Sequence, residues 1–411
     1  MSDVPLHRGA LPVFLLLSAG TGVAVGVLAL ALPLYALALS ATPAEVGLIR
    51  AASGVGMLLS VIPAGFLVDR FGAKAMFHAG SLAVILCVIA YRFASEPLAL
   101  VGVALFEGAF RSLEFNALTA TFLQALPRFG MKTVGWHKGA LSLGLSFVGP
   151  LLGGALLGGM NFHAVFDVVV VLMLVPNVLM MLIGRMLTGG GLLLHTRTSG
   201  TLASILSHFG DISALVRQPN VAGCLGAEAL VTATFSAFTT FIVVIAVSVL
   251  DMTPVAASVL AATEGATFIV TVFTAGGLIQ RLSHRAAILL GVAISAPSLA
   301  CLSSTGVVPV LFAAALALGF GLGLLNLVTT TRASLLPGEK GKIASLFMAA
   351  AGIGGATGPA FGGAVAGWFG ASAVFVAFVP LYALLAASVL AARTPDSDLL
   401  QRESTGLAEE S

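Results

Sequence analysis

The chain is poor in charge: only 9% of its 411 residues are Asp, Glu, Lys or Arg, against roughly 25% in a soluble domain. That scarcity excludes a water-soluble fold, because 58% of the residues are hydrophobic and too little polar surface exists to cover them. Cysteine is rare as well. Cys87, Cys224 and Cys301 lie in separate apolar stretches without metal-ligand spacing, so neither a disulfide framework nor a metal site is expected, and packing is their role. With two Trp and three Tyr, an internal cavity offers few stacking groups beyond phenylalanine, which argues against sugars. Net charge is +2, so no basic field points to nucleic acid. Cofactor patterns are missing too. Gly319-Phe320-Gly321-Leu322-Gly323 sits inside an apolar run, and Gly338-Glu339-Lys340-Gly341-Lys342 lacks the spacing and hydroxyl of a phosphate loop. Neither a cofactor nor enzymatic activity is expected.

What is present is a series of long apolar runs. Leu11 to Leu39, Ala99 to Leu126 and Val307 to Thr331 each exceed the ~20 residues that cross a ~30 Å hydrocarbon core as a helix. The first is too long for a cleaved signal core and should remain as a membrane helix. Punctuation by charge, Pro and Gly predicts an all-α membrane protein with twelve transmembrane helices. They fall near 11–38, 44–68, 74–93, 97–124, 134–159, 163–186, 220–249, 254–280, 285–304, 308–333, 341–367 and 371–393. The long polar connection divides them: a six-helix half at 1–186, a linker at 187–219, a second half at 220–393 and a polar tail at 394–411, expected to be disordered.

Basic residues fall unevenly about these helices. Fifteen Lys and Arg, from Arg8 and Arg70 to Arg393 and Arg402, lie on one side, while Arg50 and Arg92 lie on the other. The positive-inside rule then places both termini and the linker in the cytoplasm, in a multi-pass protein of the cell inner membrane surrounded by lipid.

The halves repeat at an offset near 210 residues. Gly149-Pro150-Leu151-Leu152-Gly153-Gly154-Ala155 recurs as Gly358-Pro359-Ala360-Phe361-Gly362-Gly363-Ala364, Thr42-Pro43 as Thr253-Pro254, and Asn116 as Asn326. Two six-helix bundles related by pseudo-two-fold symmetry are expected, with a site at their interface.

Between the second and third helices stands Gly65-Phe66-Leu67-Val68-Asp69-Arg70-Phe71-Gly72-Ala73-Lys74, and the second half carries a decayed copy ending in Gln280-Arg281-Leu282-Ser283-His284-Arg285. Here Gly65 and Gly72 permit close approach and a tight turn, and Asp69 can accept charge-assisted bonds, which makes a latch. This loop resembles the signature G-x-L-x-D-R-x-G-x-K/R of the major facilitator superfamily, and the resemblance extends from the first helix to the twelfth. It implies gating by Gly65, Asp69, Arg70, Gly72, Lys74, Arg281 and Arg285. The segments through Gly149, Pro150, Gly153 and Gly154, and through Gly354, Gly358, Pro359, Gly362 and Gly363, are similar to the family's antiporter motif G-x-x-x-G-P-x-x-G-G. In the first half Gly144 stands one residue too early, with Leu145 at the motif position.

Buried charge is confined to a few positions. Glu107, Arg111 and Glu114 share one face of the fourth helix, with Glu107 roughly 15 Å deep. Arg111 resembles the arginine of exporters in that helix, although Glu114 and Phe115 replace the usual Gln and Gly. Glu228 and Glu264 have no charged neighbour within one turn. An acid so placed can carry a proton, so both are candidates for coupling, with Asn116 and Asn326 as cavity residues. His137 is expected at the inner end of the fifth helix as an interfacial residue. The expectation is a monomeric proton-coupled transporter that exports a small organic solute by antiport, the alternative being proton-symport uptake of a chelator, sugar or organic acid.

Overall fold

The computed structural model describes residues 10–129, 133–188, 219–335 and 340–391. Twelve helical rods follow one another: α1 Ala10–Ala38, α2 Pro43–Phe71, α3 Ala73–Tyr91, α4 Pro97–Phe129, α5 in three joined pieces (Val134–Leu143, Gly144–Val148, Gly149–Gly159) and α6 Phe162–Thr188. They continue as α7 Pro219–Ser248, α8 Pro254–Thr274, α9 His284–Ser304, α10 Val308–Leu335, α11 Lys340–Phe369 and α12 Val379–Ala391. Among the described residues, ten rods are long and apolar enough to cross a bilayer. The other two, α4 and α11, depart from that composition for visible reasons. One carries Glu107, Arg111 and Glu114, and the other is rich in Gly.

The repeat shows in local chemistry. Thr42 and Thr253 both cap a helix whose first residue is Pro, accepting from the backbone N–H of Glu45 and Ala256, so the second and eighth helices start alike. Two expected helices break. The eighth ends at Thr274 and is followed by a short helix, Gly276–Arg281, with Ser283 capping α9. The twelfth begins as two 3₁₀ turns, Ala371–Ala373 and Val376–Phe378. Residues 189–218 of the linker, the C-terminal tail and the basic residues Arg8, Lys132, Arg197, Arg217, Arg393 and Arg402 lie outside the described residues.

The fifth helix explains its own irregular motif. Its middle piece is π-helical, with Gly149 N–H donating to Gly144 O. A π turn takes up one residue more than an α turn, so the residue by which Gly144 stands early is absorbed. Gly144 and Gly149 consequently face the same neighbour: a Cβ on Gly144 would lie 2.7 Å from Val23 N, and one on Gly149 would lie 2.8 Å from Val23 O. In the other half a Cβ on Gly354 would lie 2.9 Å from Ala233 N, and one on Gly358 would lie 2.8 Å from Ala233 Cα. Packing of α5 on α1 is thus repeated by α11 on α7, despite unequal spacing.

Among the described residues, the apolar core shared by the two halves lies at one end. Leu30 and Leu34 of α1 share a core with Phe238, Phe241, Ile242 and Ile245 of α7, all near the end of the molecule opposite the termini. At the terminal end the cores are separate: Phe14, Leu17, Phe77 and Phe122 belong to one half, and Val221 packs with Leu225 and Phe347 in the other. Glycines complete the seal. A Cβ on Gly47 of α2 would sit 2.5 Å from Gly363 Cα of α11, and one on Gly158 of α5 would sit 2.9 Å from Val255 of α8. The bundles therefore close at the loop end, while at the terminal end their described cores are separate and α5 still meets α8, a Cβ on Gly139 lying 2.5 Å from Phe273.

Candidate transport cavity

In the first half, α4 places Arg111 between two carboxylates on its own face. Arg111 Nε and a terminal nitrogen donate to Glu107 Oε1 at 3.0 and 2.6 Å, and the other terminal nitrogen donates to Glu114 Oε2 at 3.1 Å. All three residues are buried. Neighbouring helices fill the remaining lone pairs: Ser53 Oγ of α2 donates to Glu107 Oε2 at 2.8 Å, and Ser81 of α3 bonds Glu114. Asn177 Nδ2 of α6 in turn donates to Ser81 Oγ at 2.7 Å, while its Oδ1 lies 2.8 Å from His78 Nδ1. A charge network with this many partners is fixed in place, since losing any partner would strand a buried ion.

Arg50, expected among the residues flanking the apolar spans, instead lies about two turns inside α2. It is partly buried, within electrostatic reach of Glu107 and Tyr91. Periodicity alone contained this signal, because Arg50 falls inside an apolar helix. Arg92 does lie at the loop end, paired with Asp167.

The second half handles its acids without an arginine. Glu228 of α7 accepts from Thr329 Oγ1 at 2.8 Å and from Asn326 Nδ2 at 3.2 and 3.3 Å, both on α10. Lys138 of α5 lies within electrostatic reach across the interface. Glu264 of α8 is wholly inaccessible, and neither carboxyl oxygen has a hydrogen-bond partner among the described residues. Nearby Tyr382 donates to Thr234 Oγ1 at 3.0 Å instead. Asn116 does not match the role of Asn326: its amide bonds Ser112 O of its own helix at 2.8 Å. Ser53, Ser81, Asn177 and Thr329 were not singled out from sequence, since isolated hydroxyls and amides carry no spacing signal.

At the terminal end, Gly72 takes φ 87° between α2 and α3, a conformation that favours glycine. Asp69 and Arg70 are exposed, Arg70 over the Phe71 ring at 5.3 Å, and Asp69 has no ion-pair partner among the described residues. Lys74 packs beside Gly184, and Arg285 bonds Leu390 O. Side chains of Gln280, Lys340 and Lys342 lie outside the described residues. His137 differs from expectation, being buried inside the first half, 2.8 Å from Ser18 Oγ and stacked on Phe122 at 4.6 Å.

Two six-helix bundles related by an internal repeat, each with buried acidic side chains, are the architecture of a rocking transporter. The chain belongs to the Major Facilitator Superfamily, whose sequence profile matches residues 14–263 and 224–409. It is 30% identical over 139 residues to an uncharacterized MFS-type transporter of Methanocaldococcus jannaschii, a match spanning 33% of this chain and 35% of that protein. Among solved structures, a variant of the nucleoside transporter NupG superposes with a TM-score of 0.78 at 13% identity, covering 93% of this chain and 99% of that one. A bacterial homologue of the human lysosomal transporter Spinster, in an inward-facing and occupied conformation, superposes with a TM-score of 0.69 at 16% identity, covering 95% and 97%. These likenesses concern the fold.

Proposed function

We propose that this chain is a monomeric proton-coupled secondary transporter of the cell inner membrane, exporting a small organic solute by antiport with both termini cytoplasmic. The observation that carries the reading is the seal at the loop end, where α2 meets α11 and α5 meets α8 and the halves share an apolar core, while among the described residues the cores at the terminal end stay separate. Such an interface is built to close alternately at its two ends. With the termini cytoplasmic, as the basic residues indicate, the described state faces inward.

Coupling falls to the second half. Arg111 pairs with both Glu107 and Glu114, whereas neither carboxyl oxygen of Glu264 has a hydrogen-bond partner among the described residues. A carboxyl in that position is tolerated in its neutral form, and helix movement that admits water would release its proton. Glu228, bonded by the neutral donors Thr329 and Asn326 with Lys138 within electrostatic reach, is next in line.

Reconstitution in vesicles with an imposed pH gradient tests the assignment. Exchange of solute in both directions should persist in Glu264→Gln, while accumulation driven by the gradient should vanish. Accumulation by that variant with unchanged pH dependence removes Glu264 from the coupling role. Accumulation on the proton-rich side supports antiport; accumulation on the opposite side replaces export with symport uptake.

A further inference from the structure

We infer that Asn177 of α6 is a positioning residue for the α4 charge network: it sets the direction of a hydrogen-bond chain that starts at His78 and delivers a donor to Glu114. This holds whichever solute is carried, and in whichever direction. Three helices meet at the chain. On α3, a Cβ on Gly80 would sit 2.9 Å from Glu114 N, and Ser81, the next residue, is wholly buried. From α6, Asn177 Nδ2 donates to Ser81 Oγ at 2.7 Å and to Met173 O at 2.9 Å, and its Oδ1 lies 2.8 Å from His78 Nδ1.

The carbonyl decides every direction that follows. Met173 O can only accept, so the amide atom beside it must be the nitrogen, and the one beside His78 must be the oxygen. That oxygen also only accepts, so His78 carries its proton on Nδ1 and leaves Nε2 bare. Nε2 has no hydrogen-bond partner among the described residues, as an acceptor nitrogen facing no donor would not. Ser81 Oγ receives an N–H from Asn177 and cannot return one, so its own hydrogen goes to the Glu114 carboxylate that it bonds. Each link therefore points from His78 through Asn177 and Ser81 to Glu114, and donors aligned in series polarise one another. Aspartate at 177 would keep the shape and reverse the effect. Both of its oxygens accept, so Ser81 would turn its hydrogen toward residue 177 and present a lone pair to Glu114. Alanine would leave Ser81 free to donate.

Two measurements test the chain, both on the purified full-length protein at a pH above the usual imidazole range, where an aspartate gains least by taking up a proton to mimic the amide. The first is nitrogen NMR of histidine labelled at its ring nitrogens. The signals that vanish in His78→Gln should show a protonated Nδ1 and a bare Nε2; the opposite tautomer overturns the proposal. The second is thermal unfolding of variants. Asn177→Asp should lower the unfolding temperature more than Asn177→Ala, although aspartate is nearer in shape. In a Ser81→Ala background, with no hydroxyl left to turn, the two should have similar unfolding temperatures. An aspartate milder than alanine would mean that residue 177 only fills space, and an aspartate penalty that survives Ser81→Ala would mean plain repulsion from Glu114; either result overturns the proposal. Should Asn177→Asp fail to fold on its own, its recovery in the Ser81→Ala background supports the chain, and its failure there overturns it.

Discussion

Replacing Gly47 by alanine should open the loop end without unfolding the protein. Its new Cβ would sit 2.5 Å from Gly363 Cα and 2.7 Å from Pro359 O, backbone atoms of the opposite half. Carbon atoms rest at about 3.5–4.0 Å, so α2 and α11 must part by about 1 Å at this crossing. Overpacking of this kind costs about 1–3 kcal/mol. Because Gly47 and Gly363 meet only when the loop end is closed, the penalty falls on that state and shifts the conformational equilibrium about 5- to 150-fold. Spin labels at Glu96→Cys and Val307→Cys, both exposed at the loop end on opposite halves, report the change after Cys87, Cys224 and Cys301 are replaced. Gly47→Ala should populate longer distances between them. Gly354→Ala is the contrast, since its Cβ would crowd Ala233 within one half; it should lower thermal stability and leave the distances alone. An unchanged distribution in a folded Gly47→Ala protein would refute the account of the seal.

Arg111→Ala strands Glu107 and Glu114 as buried acids, and should lower stability by about 3–5 kcal/mol, read as a fall in unfolding temperature and yield; a near-native midpoint would show that the network is not needed. Asp69→Asn should slow turnover more than it weakens binding, because Asp69 is exposed at the terminal end of α2, remote from the buried acids of α4, α7 and α8; equal losses in both would place it elsewhere. Deleting Leu145 removes the residue that the π turn absorbs and recreates the four-residue spacing of Gly354 and Gly358, so the chain should still fold. Deleting Leu151 in the α-helical piece should not be tolerated, and the reverse order of yields would contradict the register argument.

Twelve helices and their duplication were legible because a bilayer demands ~20 apolar residues per span, and because Thr42-Pro43 and Thr253-Pro254 begin helices in the same way. The Glu107–Arg111–Glu114 contact was legible too, since spacings of four and three bring side chains together along one helix. Partners drawn from other helices were not. Ser53 reaches Glu107 and Asn177 reaches Ser81 only once α2 and α6 have packed. The motif around Gly144 looked imperfect because motif spacing assumes an unbroken α-helix, and a π turn changes the count without changing the face. Arg50 was misplaced because charge counting sorts residues by nearness to a helix end, whereas depth is set by where α2 begins.

The halves share a backbone plan but divide their electrostatics, and that division bears on mechanism. In the first, each buried carboxylate of α4 faces Arg111 and a hydroxyl donor from a neighbouring helix. In the second, Glu228 meets Asn326 and Thr329, neutral groups that bond a carboxylate or a carboxylic acid, and Glu264 meets no donor among the described residues. A proton carrier must change charge without breaking the fold, which the first arrangement forbids and the second permits. On the proposed coupling, the proton is exchanged in the half whose acids have no arginine partner among the described residues. Since both halves meet at the α2–α11 and α5–α8 crossings, an event in either alters the same seal, and the proposed coupling needs no direct contact between a solute site and Glu264.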